Sequence, residues 1–343
     1  MRFAIPALLS GLLLLGCGPD FDPPSQLHSL RVLGVQKDKP YAQPGDTVNL
    51  TMLWEDASVH AHDPGRSVTV AWSPPCSNPK GDLYYLCFAD PTVFGGAGMA
   101  SVGNTTTITI DDKIISGHPA PTQAQNAPYG ITYIFFAVCA GTLVPLPAGT
   151  SDSFPIGCQD ASGKLLDSDD FVAGYASIYS FKDFGNHNPV ISGFEFNGKT
   201  VTPDCLGDAC LDLAGSSVPA DIDCTAEPER CVPACPADGK SSCYGYPIQP
   251  VLDQNDPANQ DRDDVSAKLV GRDVGEQMWI DYYTDAGGFK SPVRLLNDAT
   301  TGWNPKYATD FYAPKGVQVS RVWTVVHDNR GGAAWAGFRI KTQ

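Results

Sequence analysis

The sequence predicts an all-β protein built as two tandem immunoglobulin-like β-sandwiches, and three observations carry that reading. Short segments of alternating apolar and polar residues recur along the chain with turn residues between them. No amphipathic stretch of about 12 residues or more reads as a helix. The acids are almost all Asp, with Glu only at Glu55, Glu195, Glu227, Glu229 and Glu276, beside 34 Gly and 29 Pro in 343 residues. Asp, Gly and Pro favour turns and resist helix interiors, whereas Glu is the good helix former.

The elements follow in order. Residues 30–35 alternate weakly, 41–46 form a turn around Pro44-Gly45, and 47–54 place Val48, Leu50, Met52 and Trp54 on one side. Period-two alternation bounded by Pro-Gly marks a half-buried antiparallel strand. Segments 67–72, 83–88, 105–110, 131–139 and 176–181 continue the series, so residues 28–185 read as one sandwich. The turn-rich stretch 183–189 breaks the pattern. A new strand and turn at 190–198 then opens a second sandwich, 186–343, which carries a Cys-rich insert at 203–245. At the far end, 317–326 and 334–340 flank Asp328-Asn329-Arg330-Gly331-Gly332 as a terminal hairpin, with Ala334, Ala336, Phe338 and Ile340 on one face.

The N-terminus speaks of address. Arg2 precedes an apolar run from Phe3 to Leu15, interrupted only by Pro6, Ser10 and Gly11, and then Leu14-Leu15-Gly16-Cys17. A transmembrane helix needs roughly 20 apolar residues, so this run has the length of a signal h-region. The four residues resemble the bacterial lipobox, with Gly16 at the small position and the Cys17 thiol as acceptor of a diacylglyceryl group. The resemblance implies that residues 1–16 are a lipoprotein signal peptide and that Cys17, bearing acyl chains such as palmitate, ties the protein to a lipid bilayer. Each buried CH₂ contributes about 0.8 kcal/mol to such an anchor. Residues 17–27, rich in Pro and polar groups, read as a flexible tether. The expected location is the cell envelope, at the outer membrane.

Setting Cys17 aside leaves ten cysteines: Cys76, Cys87, Cys139, Cys158, Cys205, Cys210, Cys224, Cys231, Cys235 and Cys243. An even set at this density in an exported chain suggests disulfides in an oxidising compartment. Cys76 with Cys87 and Cys139 with Cys158 are plausible local pairs. The six in 203–245 sit among Pro, Asp, Gly and Ala, a segment too poor in large apolar residues to bury a core, so three disulfides are expected to hold it. Paired CxxC knuckles and nearby His are absent, which argues against zinc.

With 38 acidic and 23 basic residues the net charge is −15, and such a surface repels nucleic acid. Asp253, Asp256, Asp261 and Asp263, in the oxygen-rich run 253–264, could wrap a calcium ion, although the run lacks EF-hand spacing and also reads as a solvated acidic loop. His60, His62 and Asp63 invite a metal reading, but Asp63-Pro64-Gly65 is a turn and an exposed loop is favoured. No GxSxG, HExxH or SxxK arrangement occurs, and no residue is assigned a catalytic role. Trp54 falls in register with the core positions of its strand, while Trp303 and Trp335, flanked by small and polar residues, are the candidates for exposed contacts.

The lipobox, the Pro-rich tether, an opening strand followed by Pro44-Gly45-Asp46 and the closing Asp-Asn-Arg-Gly-Gly hairpin together resemble the exported lipoproteins inferred from myxobacterial sequences, a group with tandem immunoglobulin-like domains and no single established activity. The resemblance implies a membrane-anchored envelope lipoprotein acting as a non-enzymatic binding, adhesion or scaffold module toward an envelope protein or glycan. The alternative is an envelope hydrolase or calcium-dependent enzyme using the loop 253–264.

Overall fold

Apolar residues at every second position force strands to bury one face, and in this chain they do so twice. The structure, a computed structural model, describes residues 23–94, 99–122, 126–146, 154–212, 221–236, 242–260 and 262–343. In the first half, Leu30–Lys37, Thr47–Asp56 and Thr105–Thr109 form an antiparallel sheet. The facing sheet runs Tyr41–Ala42, Phe171–Phe181, Tyr129–Cys139, Thr69–Trp72, Ser101–Val102. The chain's opening strand is split between the two sheets, and its second part, Tyr41–Ala42, lies parallel to Phe171–Phe181. That strand order is an immunoglobulin-like sandwich. Val48, Leu50, Met52, Ile134, Phe136, Val138 and Ile178 fill the space between the sheets. Trp72 is fully buried there against the edge of Phe136, and its indole N–H donates to the Gly103 carbonyl at 2.8 Å.

The second half repeats the plan. One sheet orders Lys199–Val201, Gly193–Phe196, Gly245–Val251, Thr309–Tyr312, Gly288–Phe289, and the other Cys205–Leu206, Ala333–Thr342, Val319–Asp328, Met278–Thr284, Val293–Asp298, Gly302–Trp303. The terminal hairpin pairs Val319 with Lys341 through to His327 with Ala333. Its loop is tied by Asp328, whose carboxylate accepts from the backbone N–H of Arg330 and Gly332. The Cys-rich insert lies between Lys199–Val201 and Gly245–Val251. Its Cys231–Val232 runs parallel to the end of Ala333–Thr342, and Cys205–Leu206 runs antiparallel beside that strand's middle. Five disulfides join Cys76 to Cys87, Cys139 to Cys158, Cys205 to Cys210, Cys224 to Cys231 and Cys235 to Cys243. The buried insert residues Cys210, Ile222, Val232 and Cys235 pack onto the sandwich beneath them.

The two sandwiches share a third apolar cluster. Leu27, Leu33 and Leu53 meet Cys205, Cys210, Trp323, Val325 and Trp335. The register shift between Val32 and Gly34 turns Leu33 out of its own core toward this junction. A Cβ at Gly34 would come within 3.3 Å of the Trp335 ring, so glycine is what lets the strand lie against the indole. Buried charges cross the junction as well: Arg321 and the Trp323 indole both donate to the Glu55 carboxylate, at 2.6 and 3.2 Å. The turn between the domains is stitched to both, since Asn188 donates to the Lys37 carbonyl and accepts from the N–H of Ala333, while Asn186 donates to Asp328. Burial pushes the Lys37 ammonium down to about 8, against the pull of Asp328.

Three expectations are corrected. Residues 83–88 form no strand; Tyr84–Ala89 is a 3₁₀ helix, because six successive apolar residues carry no period and the Cys76–Cys87 bridge folds the segment back over a sheet. The flexible tether expected over 17–27 does not extend to 23–27. Leu27 is buried, its N–H donates to the Thr284 carbonyl, and Gln26 donates to Gly287, so this stretch docks on the second sandwich. Trp335 is not an exposed contact but a wall of the junction, because the terminal hairpin is apolar on both faces.

Candidate functional site

The strands Tyr129–Cys139 and Phe171–Phe181 pair along their whole length, with Tyr129 opposite Phe181, Tyr133 opposite Ser177 and Phe135 opposite Tyr175. Paired residues share a face, so the odd-numbered positions place Tyr129, Tyr133, Tyr175 and Tyr179 together on the outside of the first sandwich while the even-numbered ones fill its core. Half of this outer face is covered. The segment following Thr69–Trp72 crosses it, pinned by the Cys76–Cys87 bridge, and packs Cys87, Val93, Phe88 and Phe94 with Phe154 over Ile131 and Phe135.

The rest is open. Leu83, Tyr84, Tyr85, Leu86, Tyr175 and Tyr179 are all exposed large apolar side chains on this face or its rim. Tyr84 stacks on Tyr175 with ring centroids 4.5 Å apart, Tyr85 stands edge-on to Tyr84 at 6.0 Å, and Tyr179 leans on Tyr129 at 5.8 Å. Offset and edge-on pairs of this kind fix ring orientation, so the platform is formed before any partner arrives.

Asp82 holds the crossing segment in place. Its carboxylate accepts from the Tyr129 hydroxyl at 2.5 Å and from His118 Nε2 at 2.8 Å, and its carbonyl accepts from the Tyr133 hydroxyl at 2.8 Å. The residue takes a left-handed φ of 59°, a region Asp tolerates better than most side chains. The other nitrogen of His118 lies 2.9 Å from the Pro119 carbonyl, so the ring is held between Asp82 and its own chain. Burial, with Asp82 and neighbouring tyrosines, pushes the Tyr133 phenol up to about 12 and raises Tyr129 further. These hydroxyls therefore remain neutral donors.

The residues singled out in the sequence lie elsewhere. Asp253 accepts from Asn255, Asp256 caps a short 3₁₀ turn through the N–H of Ala258, and buried Asp263 caps the helix Asp264–Val270 through Ser266 and also accepts from Asn329. Each carboxylate serves its own turn, and Asp261 lies outside the described residues. His60 pairs with Asp63 on an exposed turn, and His62 is exposed. Among the described residues no group of three or more His, Cys, Asp or Glu is arranged to hold a metal ion. Cys17 and the signal segment lie outside the described residues, and among those described no helix is long and apolar enough to cross a membrane. Trp54 is buried and donates to Asn104, while Trp303 is partly buried and packs against the core of the second sandwich rather than standing free. The tyrosine face was missed, although its signal is in the sequence: Tyr129, Ile131, Tyr133, Phe135 and Tyr175, Ser177, Tyr179, Phe181 alternate with a second apolar set, which marks a sheet covered or recognised on both sides.

The sequence matches no protein-family profile and no curated protein. Among solved structures, the chain is similar to the fibronectin(III)-like modules of Clostridium thermocellum CbhA, at 9% identity over 90% of this chain and 94% of that one, with a TM-score of 0.19. Dimeric latent PorU from Porphyromonas gingivalis matches at 11% identity over 93% of this chain and 24% of its own, TM-score 0.19. Native alpha-2-macroglobulin of E. coli matches at 10% over 94% of this chain and 16% of its own, TM-score 0.20. At these scores the likenesses carry no argument, and the immunoglobulin-like assignment rests on strand order.

Proposed function

We propose that this chain is an exported, lipid-anchored, non-enzymatic binding module of the cell envelope, and that the tyrosine face is its docking surface for a partner protein. The observation that carries the reading is four exposed tyrosines, Tyr84, Tyr85, Tyr175 and Tyr179, tied by ring contacts across a disulfide-stapled sheet face, with exposed Leu83 and Leu86 on the same crossing segment. Contiguous apolar patches on soluble domains mark interaction sites, and tyrosine, with an apolar ring and a polar tip, is enriched at interfaces. A rigid sandwich that presents loops and a sheet face is the usual setting for recognition. The paired cysteines support an oxidising address. From Cys17 to the docked Pro23 the chain reaches about 20 Å at most, so a lipid on Cys17 would hold the body close to the bilayer.

The test is a photo-crosslinking residue placed at Tyr85 in the native host, with Leu269, exposed on the second sandwich, as the comparison site. A discrete protein adduct from position 85 alone is expected, and Tyr84→Ala should weaken that partner's binding about 30-fold, the ~2 kcal/mol of an interface hot spot. Equal, diffuse crosslinking from both positions would sink the proposal.

A further inference from the structure

In the second sandwich, the turn between Val293–Asp298 and Gly302–Trp303 meets the end of the loop 253–264 at an open cleft of about 490 Å³. That lies within the roughly 300–1,000 Å³ that hold small ligands. Trp303 forms one wall, set edge-on to Tyr307 at 6.1 Å, and its indole N–H donates to no atom among the described residues. Arg262, Asp273, Asn297, Asp298 and Thr300 supply the other walls. The frame is rigid. Arg262 is bridged to Gly275, its carbonyl accepts from Arg330 at 2.9 Å, and Asn297 donates to the Glu276 carbonyl at 2.6 Å.

The charge balance selects among ligands. The Arg262 guanidinium is already paired with Asp264 at 2.8 Å and Asp273 at 2.7 Å, so it offers no surplus positive charge to a phosphate or carboxylate. The wall is about evenly polar and apolar, so a purely apolar ligand would bury polar groups without partners. One aromatic ring facing amide, carboxylate and guanidinium groups suits a molecule with a C–H face on one side and hydroxyls around its rim, because planar side chains present neighbouring donors and acceptors at the spacing of vicinal hydroxyls.

We propose that this cleft binds a neutral saccharide, stacked on Trp303 and hydrogen-bonded by Arg262, Asp273 and Asn297. The site is separate from the tyrosine face and stands or falls independently of it. The experiment is saturation-transfer NMR on the full mature chain with cellobiose, maltose, N,N′-diacetylchitobiose and galactose, and with calcium chloride and sodium phosphate titrated separately. Saturable binding of at least one sugar is expected, weakened about tenfold or more by Trp303→Ala and less by Trp303→Phe. Asp273→Ala, at a position exposed enough to leave folding intact, should weaken it too, so a misfolded tryptophan variant does not rescue the idea. Binding of none of the sugars, sugar binding untouched by the Asp273 and Trp303 variants, or saturation by calcium or phosphate alone would overturn the proposal.

Discussion

Replacing Glu55 with alanine is expected to cost about 3–5 kcal/mol at pH 5, and less at pH 8, measured by urea unfolding. The cost comes from what is left behind. Arg321 is buried at the junction and its guanidinium reaches the Glu55 carboxylate at 2.6 Å, with the Trp323 indole on the second oxygen. Without Glu55 that charge has lost the carboxylate it was buried against. The same residue sets a pH dependence. Burial pushes the Glu55 carboxyl up to about 7, with Arg321 pulling down and Asp285 pushing up. Its folded pKa thus lies above its unfolded value, so the contribution is fully present below about pH 4.5 and is lost as pH rises through about 7. Glu55→Gln should remove that slope while keeping most of the packing. An unchanged slope in the Gln variant would show that other groups control it.

Trp335→Ala is expected to cost about 3–5 kcal/mol and to split one calorimetric transition into two. The indole is buried between the domains, lies against Gly34 of the first sandwich, and donates to the Gly207 carbonyl of the Cys-rich insert at 2.8 Å. Its removal opens a cavity in the cluster that joins the two sandwiches, and the loss of that shared packing is what is expected to uncouple their unfolding. A single transition lowered by less than about 1 kcal/mol would mean that the polar stitches at Asn186, Asn188 and Glu55 carry the coupling instead.

How legible this architecture is in the sequence depends on how many faces each strand buries. The segment 47–54 alternates cleanly as far as Met52, before Leu53 turns to the junction, and reads correctly as a strand. Phe171–Phe181, Val319–Asp328 and Ala333–Thr342 bury or pack both faces, so their apolar runs locate a strand without saying what covers its outer side. That is why Trp335 reads as exposed and why the tyrosine ladder goes unnoticed. Residues 83–88 mislead for a related reason: apolar content without period says nothing about conformation, and only the Cys76–Cys87 bridge explains the 3₁₀ turn. The docking of Leu27 depends on a surface some 300 residues along the chain, which no local pattern can reveal. Trp303 is only half legible: Gly302 and Asn304 isolate it from any apolar alternation, but the core it packs against is built by distant strands. The aspartates of 253–264 are harder to read, since oxygen-rich runs suit calcium and turn caps equally; Asp253, Asp256 and Asp263 each accept from a backbone N–H of their own turn.

The most direct measurement is mass spectrometry of the protein purified from membranes of its own host, wild type beside Cys17→Ala. An N-terminal peptide that begins at Cys17 and carries two or three acyl chains, absent from the variant, is the predicted result. An unmodified N-terminus on protein recovered from the culture medium would contradict the lipid-anchored envelope module.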